Sequence, residues 1–271
     1  MLYRLPTISL NKGRNNLRSL ELSLDNYDSD KINNDHLKKY DQIFKPYIHK
    51  KIALLELGVL KGGSLILWRD YFPFGTIAGI DIKLPENLDL GERIHIFEGN
   101  QADLQFLSQV ANKMAPEGFD IIIDDASHVG EPTKTAFWHL FDNHLKPNGL
   151  YVIEDWGTGY WGDWPDGKRL NLESYAQQKL RRTRFWLFFL YTMGKLGLKL
   201  PMRGHCYGMV GFIKQLIDEQ AAQDATKGTQ KGKPTRRSKF ERMIIMSSIV
   251  FIKKAFNQNE ISPSGLAVED I

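Results

Sequence analysis

Cysteine is almost absent: Cys206 stands alone among 271 residues. No disulfide can therefore form within the chain, and a reducing compartment is the default expectation. Long apolar runs are missing too. The most apolar stretch, Phe185–Met193, falls far short of the ~20 residues that a membrane-spanning helix needs. Residues 1–7 lack the basic-then-apolar pattern and the small-residue cleavage site of a signal peptide. Neither sign of charge is in large excess, because 36 Lys and Arg face 32 Asp and Glu for a net charge of +4; that balance gives no argument for a nucleic-acid partner. No internal repeat is visible. A soluble, cytoplasmic chain is expected, and 42% apolar residues suit the core of one elaborated domain better than two.

What is present is a strand-then-helix rhythm. Residues 1–50 are polar and Asn-rich, with a helix expected over Asn34–Tyr47 from the spacing of Leu37, Tyr40, Ile43, Phe44 and Tyr47. From there Ile52–Leu57, Thr76–Asp81, Ile94–Glu98, Phe119–Asp125 and Leu150–Glu154 read as strands. Gly62–Tyr71, Leu104–Met114 and a segment near Thr133–Phe141 read as the helices between them. Such alternation predicts an α/β, doubly wound, mostly parallel sheet. The rhythm breaks after Asp155. An insertion over 156–205 carries Trp156, Tyr160, Trp161 and Trp164, then a long apolar helix with the basic lead-in Lys179, Arg181, Arg182 and Arg184. That helix could be a buried lid, an interfacial helix or a contact between copies of the chain. Gly208–Ala222 reads as a helix, 225–239 as a basic solvated loop, and Arg242–Met246 with Ile249–Lys253 as a terminal hairpin. The hairpin brings the sheet to seven strands, with residues 257–271 as a tail.

Two acidic pairs end two of these strands. Phe119-Asp-Ile-Ile-Ile runs into Asp124-Asp125 with His128 three residues on, and Leu150-Tyr-Val-Ile runs into Glu154-Asp155. If the strands are parallel neighbours, four carboxylates and an imidazole share one edge of the sheet. They would repel one another unless a cation neutralised them. That is the pattern of a site for a hard divalent metal with a base beside it. Simpler readings stand next to it: Asp124 and Asp125 as turn caps, His128 as a surface histidine, and the tryptophans as packing rather than as an acceptor-binding wall. His49, His95, His139, His144 and His205 read as structural.

The first strand opens into a glycine-rich turn, Glu56-Leu-Gly58-Val-Leu-Lys-Gly62-Gly-Ser64. Its Glu-x-Gly-x-x-x-Gly spacing differs from the Gly-x-Gly-x-x-Gly of dinucleotide enzymes. Asp81 ends the second strand where an acid can accept both hydroxyls of a ribose. Together with Gly79-Ile-Asp81, Glu98-Gly-Asn-Gln-Ala-Asp103, Asp124-Asp-Ala-Ser-His128 and Tyr151-Val-Ile-Glu-Asp155, this turn resembles class I S-adenosyl-L-methionine-dependent methyltransferases. More narrowly, the set is similar to the metal-dependent sugar O-methyltransferases of the macrocin and mycinamicin group, over roughly 29–254. The helix Gly208–Asp218 also looks like this group, and Ser29-Asp30-Lys31 with His36 resembles one of its N-terminal motifs, without assigned roles.

The resemblance implies a Rossmann-like methyltransferase domain over 51–256 behind an N-terminal helical or lid segment. Its cofactors are S-adenosyl-L-methionine and Mg2+, and its acceptor is a sugar or glycosylated small molecule. Glu56, Gly58, Gly62 and Ser64 would then line the methionine and ribose part of the cofactor, and Asp81 would hold the ribose. Asn100, Gln101 and Asp103 would lie near the adenine and Asp124 near the methionine amino group. Asp125, Glu154 and Asp155 match the magnesium ligands, and His128, with Asp125, the catalytic pair in which His128 is the base. Asn100 stands where many relatives have an acid. Competing readings are a non-catalytic cofactor-binding scaffold and a dinucleotide-dependent oxidoreductase. Nucleic-acid methylation is disfavoured, because the Asn- or Asp-Pro-Pro-aromatic motif of base-amino methyltransferases is absent.

Overall fold

Ala53-Leu-Leu-Glu-Leu57 is apolar towards both faces apart from one glutamate, so it is stable only where both faces are covered. The computed structural model, which describes residues 17–86, 90–169 and 207–256, covers it in that way. The apolar stretch 185–193, Cys206 and the tail 257–271 lie outside the described residues.

The elements are α1 (Asp30–Asn33), α2 (His36–Phe44), β1 (Ala53–Leu57), α3 (Gly63–Tyr71), β2 (Thr76–Asp81), β3 (Ile94–Glu98), α4 (Leu104–Met114), β4 (Phe119–Asp124), α5 (Gly130–Asn143), β5 (Leu145–Glu154), α6 (Gly208–Gln220), α7 (Ala222–Lys227), β6 (Phe240–Ile245) and β7 (Ile249–Lys254). They build a seven-stranded sheet in the order β3-β2-β1-β4-β5-β7-β6. The first five strands are parallel, while β7 runs antiparallel to both β5 and β6. The expected α/β architecture, with its antiparallel C-terminal hairpin, is the one observed. Among the described residues no helix is long and apolar enough to cross a membrane.

Strand alternation sorts the core into two layers. Leu55, Leu57, Ile122, Tyr151 and Ile153 face α4, α5 and α6, where Phe137, Phe141, Phe212 and Leu216 complete one cluster. Leu54, Ile121, Ile123, Leu150 and Val152 face the other way, onto Tyr40, Phe44, Trp68, Tyr71 and Phe72 of the N-terminal and α3 layer. The N-terminal segment is thus part of the core. Arg18 donates to the carbonyls of Asp70 (2.7 Å) and Tyr71 (3.2 Å) at the end of α3, and the Ser19 amide donates to Asp41 (3.0 Å).

Several boundaries differ from the sequence reading. The strand expected to begin at Leu150 begins at Leu145, because Pro147-Asn148-Gly149, residue types that favour turns, is carried within β5 with Asn148 at φ +61° and a register shift opposite Phe119/Ile121. Helix α5 starts at Gly130 and holds Pro132 in its first turn, where a missing N–H costs nothing. The helix expected over Asn34–Tyr47 starts at His36, after Asp35 at φ +61°, and ends at Phe44, where Lys45–Tyr47 tightens into a 3-10 turn; α1 precedes it as a separate turn. The start of the basic loop is helical as α7.

The register that matters for the site pairs Leu57 with Asp124 and Asp124 with Ile153. It brings the carboxyl ends of β1, β4 and β5 side by side, next to the point where strand order reverses between β1 and β4. Open α/β sheets bind ligands at that edge.

Candidate active site

Beyond β1 the chain turns at Gly58, whose φ is +99°; a Cβ there would fall 2.2 Å from the carbonyl oxygen of Asp125. Glycine is therefore required twice over, by backbone conformation and by the close approach of the two strand exits. Gly62, at φ +80°, is the N-cap of α3. Asp81 at the end of β2 accepts the amides of Val59 (2.8 Å) and Leu60 (3.0 Å) on one oxygen and that of Lys83 (3.1 Å) on the other. Burial alone would raise its pKa, but these backbone donors outweigh burial and hold it below the usual carboxylate range. The acid stays ionised beside the glycine turn.

A cavity of about 660 Å³ opens over this edge, within the ~300–1,000 Å³ usual for small-molecule sites. From Asp81 it passes over Gly58 to Asp125 and His128, with Ser64, Asn100 and Gln101 also in its wall. Of the other residues assigned to the cofactor, Glu56, Gly62, Asp103 and Asp124 do not line it. Asp103 is the N-cap of α4, accepting the amides of Gln105 and Phe106 at 3.0 Å each. Asp124 is buried below the cavity floor on Tyr151 (3.3 Å) and Gln101 (3.4 Å). Burial raises its pKa to about 7, against opposing hydrogen bonds from Ala126, Tyr151 and Gln101. A smaller cavity of about 390 Å³ lies at the opposite edge of the sheet, where Lys146 pairs with Asp120 at 2.9 Å.

Alternation also decides which acids meet. Asp124 points to the α5 layer with Tyr151, whereas Asp125 and Glu154 point to the N-terminal layer, where they are joined by Glu56. Asp124 thus parts from the expected group and Glu56 takes its place. Glu56, Asp125 and Glu154 present carboxylate oxygens within 4.8 Å of one another, as do Asp125 and Asp155 with a ring nitrogen of His128.

Three residues of α1 and α2 complete the cluster. Lys31 is fully buried, with its ammonium 2.5 Å from Asp125, 2.9 Å from Glu154 and 3.3 Å from Glu56. His36 Nδ1 is 3.0 Å from Glu154, and the Tyr40 hydroxyl donates to the other oxygen of the same carboxylate. Glu56 also accepts from Ser64 (2.7 Å) and Trp68 (3.1 Å). Burial would lower the pKa of Lys31, but Asp125, Glu154 and Glu56 outweigh it and raise it well above its ordinary value. Glu154 is held down to about 2, because Lys31, His36 and Tyr40 overcome the effect of burial. Asp125 is pushed well up by burial and by repulsion from Glu154 and Glu56 in spite of Lys31.

Glu56, Asp125 and Glu154 therefore share one ammonium in a desolvated corner, with Asp155 beside them. The set is short of positive charge and rich in oxygen donors, which fits a hard divalent cation. The motif match at Ser29-Asp30-Lys31 and His36 is the sequence signal for Lys31 and His36, and it assigns them no role; Tyr40 is marked only by its helical spacing. Glu56 could have been placed by counting alternate residues along β1, β4 and β5.

His128 sits at φ +50° with its carbonyl accepting from Thr158 (3.0 Å) and Trp164 (3.1 Å). Its Nε2 is 3.8 Å from Asp125. Burial lowers the imidazole pKa, opposed by Asp155 and Glu154, and the net shift is downward. Asp155 is raised by burial, with His128 opposing. Trp164 lines the cavity and holds His128, whereas Trp156 donates to Met246 (3.0 Å) and packs on the core. Tyr160 and Trp161 are about half exposed, at 51% and 53%.

Sheet order, glycine turn, the acid that ends β2 and the acidic ends of β4 and β5 together match the α/β fold of class I S-adenosyl-L-methionine-dependent methyltransferases. Within that class the chain resembles the macrocin and mycinamicin sugar O-methyltransferases. No family model matches. The chain is 42% identical over 129 residues to mycinamicin VI 2''-O-methyltransferase of Micromonospora griseorubida, covering 45% of this chain and 31% of that one. It is 39% identical over 140 residues to demethylmacrocin O-methyltransferase of Streptomyces fradiae, covering 48% and 34%. Among solved structures it is similar to MycE methyltransferase in complex with Mg and SAH, with a TM-score of 0.60 and 28% identity over 81% of this chain and 49% of that one. The chain spans about a third of the length of these curated relatives and about half of the solved one.

Proposed function

We propose that this chain is a methyltransferase domain that moves a methyl group from S-adenosyl-L-methionine to a hydroxyl of a sugar or glycosylated small molecule, with a divalent cation. The observation that carries this reading is the single cavity joining the glycine turn and Asp81 to Asp125 and His128. The relatives named above are O-methyltransferases of mycinamicin VI and demethylmacrocin, and the MycE structure is a complex with Mg and SAH. When bound, the cofactor would supply the methyl group and the cation would stabilise charge on the acceptor oxygen.

Gly58, Ser64, Asn100 and Gln101 would form the cofactor wall, and Asp81 would accept the ribose hydroxyls. Glu56, Gly62, Asp103 and Asp124 would support that wall from behind. Asp125, Glu154 and Asp155 are the carboxylates for the cation. Asp125 and Asp155 stand partly exposed beside His128, and Glu154 is seated behind them. His128, with its pKa lowered, keeps a lone pair at neutral pH and can take the acceptor's proton. Its backbone is fixed by Thr158 and Trp164, which holds the base in place while the acceptor is positioned. A cytoplasmic location belongs to this reading.

The test is calorimetric titration of the protein with S-adenosylhomocysteine and Mg2+, followed by a screen of glycoside acceptors. The homocysteine ligand should bind, and both Asp125→Asn and His128→Ala should lose turnover by at least about 100-fold with that binding largely kept. Full turnover in both variants would refute the assigned roles.

A further inference from the structure

Among the described residues, Lys31 stands out by its burial. A lysine with no exposed surface is rare unless it is paired, and this one is paired three times, to the ends of β1, β4 and β5. It reaches them from a strap, residues 28–31, that forms one wall of the cavity. The strap's backbone lies against the start of α3: a Cβ on Gly63 would meet the Asp28 carbonyl oxygen at 2.0 Å. Ser29 and Asp30 line the cavity, and the Ser29 hydroxyl is buried with no partner among the described residues. One residue thus ties the wall of the cavity to Asp125 on its lining and to Glu56 and Glu154 behind it.

Resting on the reading above, we infer that Lys31 is a positioning residue. Its ammonium is the resident counter-ion of Glu56, Asp125 and Glu154; it fixes Asp125 with one oxygen turned to His128, and it shares Asp125 and Glu154 with the divalent cation. The geometry sets the direction of each effect. One Asp125 oxygen is bound by Lys31, which leaves the other, 3.8 Å from His128 Nε2, as the one that faces the base. A fixed positive charge on the same carboxylates opposes a second cation, so cation binding is weaker with Lys31 than without it. Removing the ammonium frees buried carboxylates for the metal and releases both Asp125 and the strap. Tighter metal and poorer turnover should therefore appear together. A lysine that merely supported the fold would, when removed, loosen the site and weaken metal binding.

The experiment is a Mn2+ titration of wild type, Lys31→Met, Lys31→Gln and Lys31→Arg, followed by electron paramagnetic resonance of the free ion. It is paired with S-adenosylhomocysteine titration, kcat and KM, and thermal melting. Both neutral variants should bind Mn2+ at least about tenfold more tightly while kcat falls, and Lys31→Arg, which keeps the charge, should stay near wild type in Mn2+ affinity. Unchanged or weaker Mn2+ binding in a folded neutral variant would overturn the inference. The wild-type chain gives a second test that needs no variant. Acetylation followed by mass spectrometry should leave Lys31 unmodified while Lys38, whose side chain is 70% exposed, reacts; equal reaction at both would overturn the placement. If wild type binds neither Mn2+ nor S-adenosylhomocysteine, it is the proposed function that fails, and the labelling still decides where Lys31 lies.

Discussion

Replacing Gly63 with alanine should separate the stability of the fold from the integrity of the cofactor cavity. Gly63 opens α3 with an ordinary negative φ, so the backbone does not need glycine there. Inside a helix alanine is favoured over glycine by at most about 1 kcal/mol. Space is the obstacle. The added methyl would stand 2.0 Å from the Asp28 oxygen, 2.5 Å from its carbonyl carbon and 3.0 Å from its nitrogen, against an ordinary contact that begins near 3.4 Å. All three are backbone atoms, so no rotamer change relieves the clash and the strap must retreat by more than an ångström. Three residues on, Lys31 resists that retreat through its three ion pairs. Overpacking of this kind costs about 1–3 kcal/mol, against which the helix gain is partial. The melting temperature should fall only slightly. Affinity for S-adenosylhomocysteine should fall about tenfold, which is 1.4 kcal/mol, because the displaced segment is the cavity wall. Gly157→Ala, where nothing lies within 4 Å of the new methyl, is the control and should change neither quantity. Unaltered ligand affinity in Gly63→Ala would refute the claim that the strap is a wall of the site.

Two further predictions concern groups outside the site. Lys254 is buried and donates to the carbonyls of Phe141 (2.6 Å), Leu145 (2.8 Å) and Asp142 (3.2 Å), closing the end of α5; Lys254→Met should cost about 2–4 kcal/mol in urea unfolding, and a loss below 1 kcal/mol would argue against that capping role. His139 and His144 share the Ser108 hydroxyl at 2.7 and 3.1 Å. Burial lowers both below the ordinary 6.5, helped at His144 by repulsion from His139 and Lys254. Below pH 6.5 the unfolded chain then binds more protons than the folded one, so the stability from this pair is complete above 6.5 and is lost as pH falls through the lowered values. His139→Gln with His144→Gln should flatten the fall in melting temperature between pH 8 and pH 5; an unchanged fall would exclude the pair as its source.

Much of this architecture is legible in the chain because central parallel strands are apolar on both faces, and β1, β2 and β4 announce themselves by apolar runs that end at Gly58, Asp81 and Asp124, while the edge strand β3 shows only alternate apolar residues before Glu98. The hairpin of β6 and β7 is legible from two short apolar runs joined at Ser247-Ser248. Where Pro147-Asn148-Gly149 lies inside β5, turn chemistry and strand pairing conflict, and the tertiary pairing with β4 prevails. At the site, the acids at 125, 154 and 155 and the histidine at 128 stand out by position. The partition of Asp124 from Asp125 is set by strand period and can be counted. The arrival of Lys31, His36 and Tyr40 depends on how an N-terminal segment folds back across the sheet, about 90 or more residues away in sequence, and no local pattern encodes such long-range closure.

The central claim is that one edge of this sheet holds a methyl-donor site at Asp81 and Gly58 and a cation site at Asp125. Diffraction from crystals grown with S-adenosylhomocysteine and Mn2+, with data collected to locate the metal by its anomalous signal, tests both halves at once. The account predicts ligand density along the cavity with its ribose on Asp81, and one strong metal peak bonded to Asp125 within reach of Asp155 and His128. A metal peak away from Asp125, or ligand density that leaves Asp81 without a ribose, would contradict it.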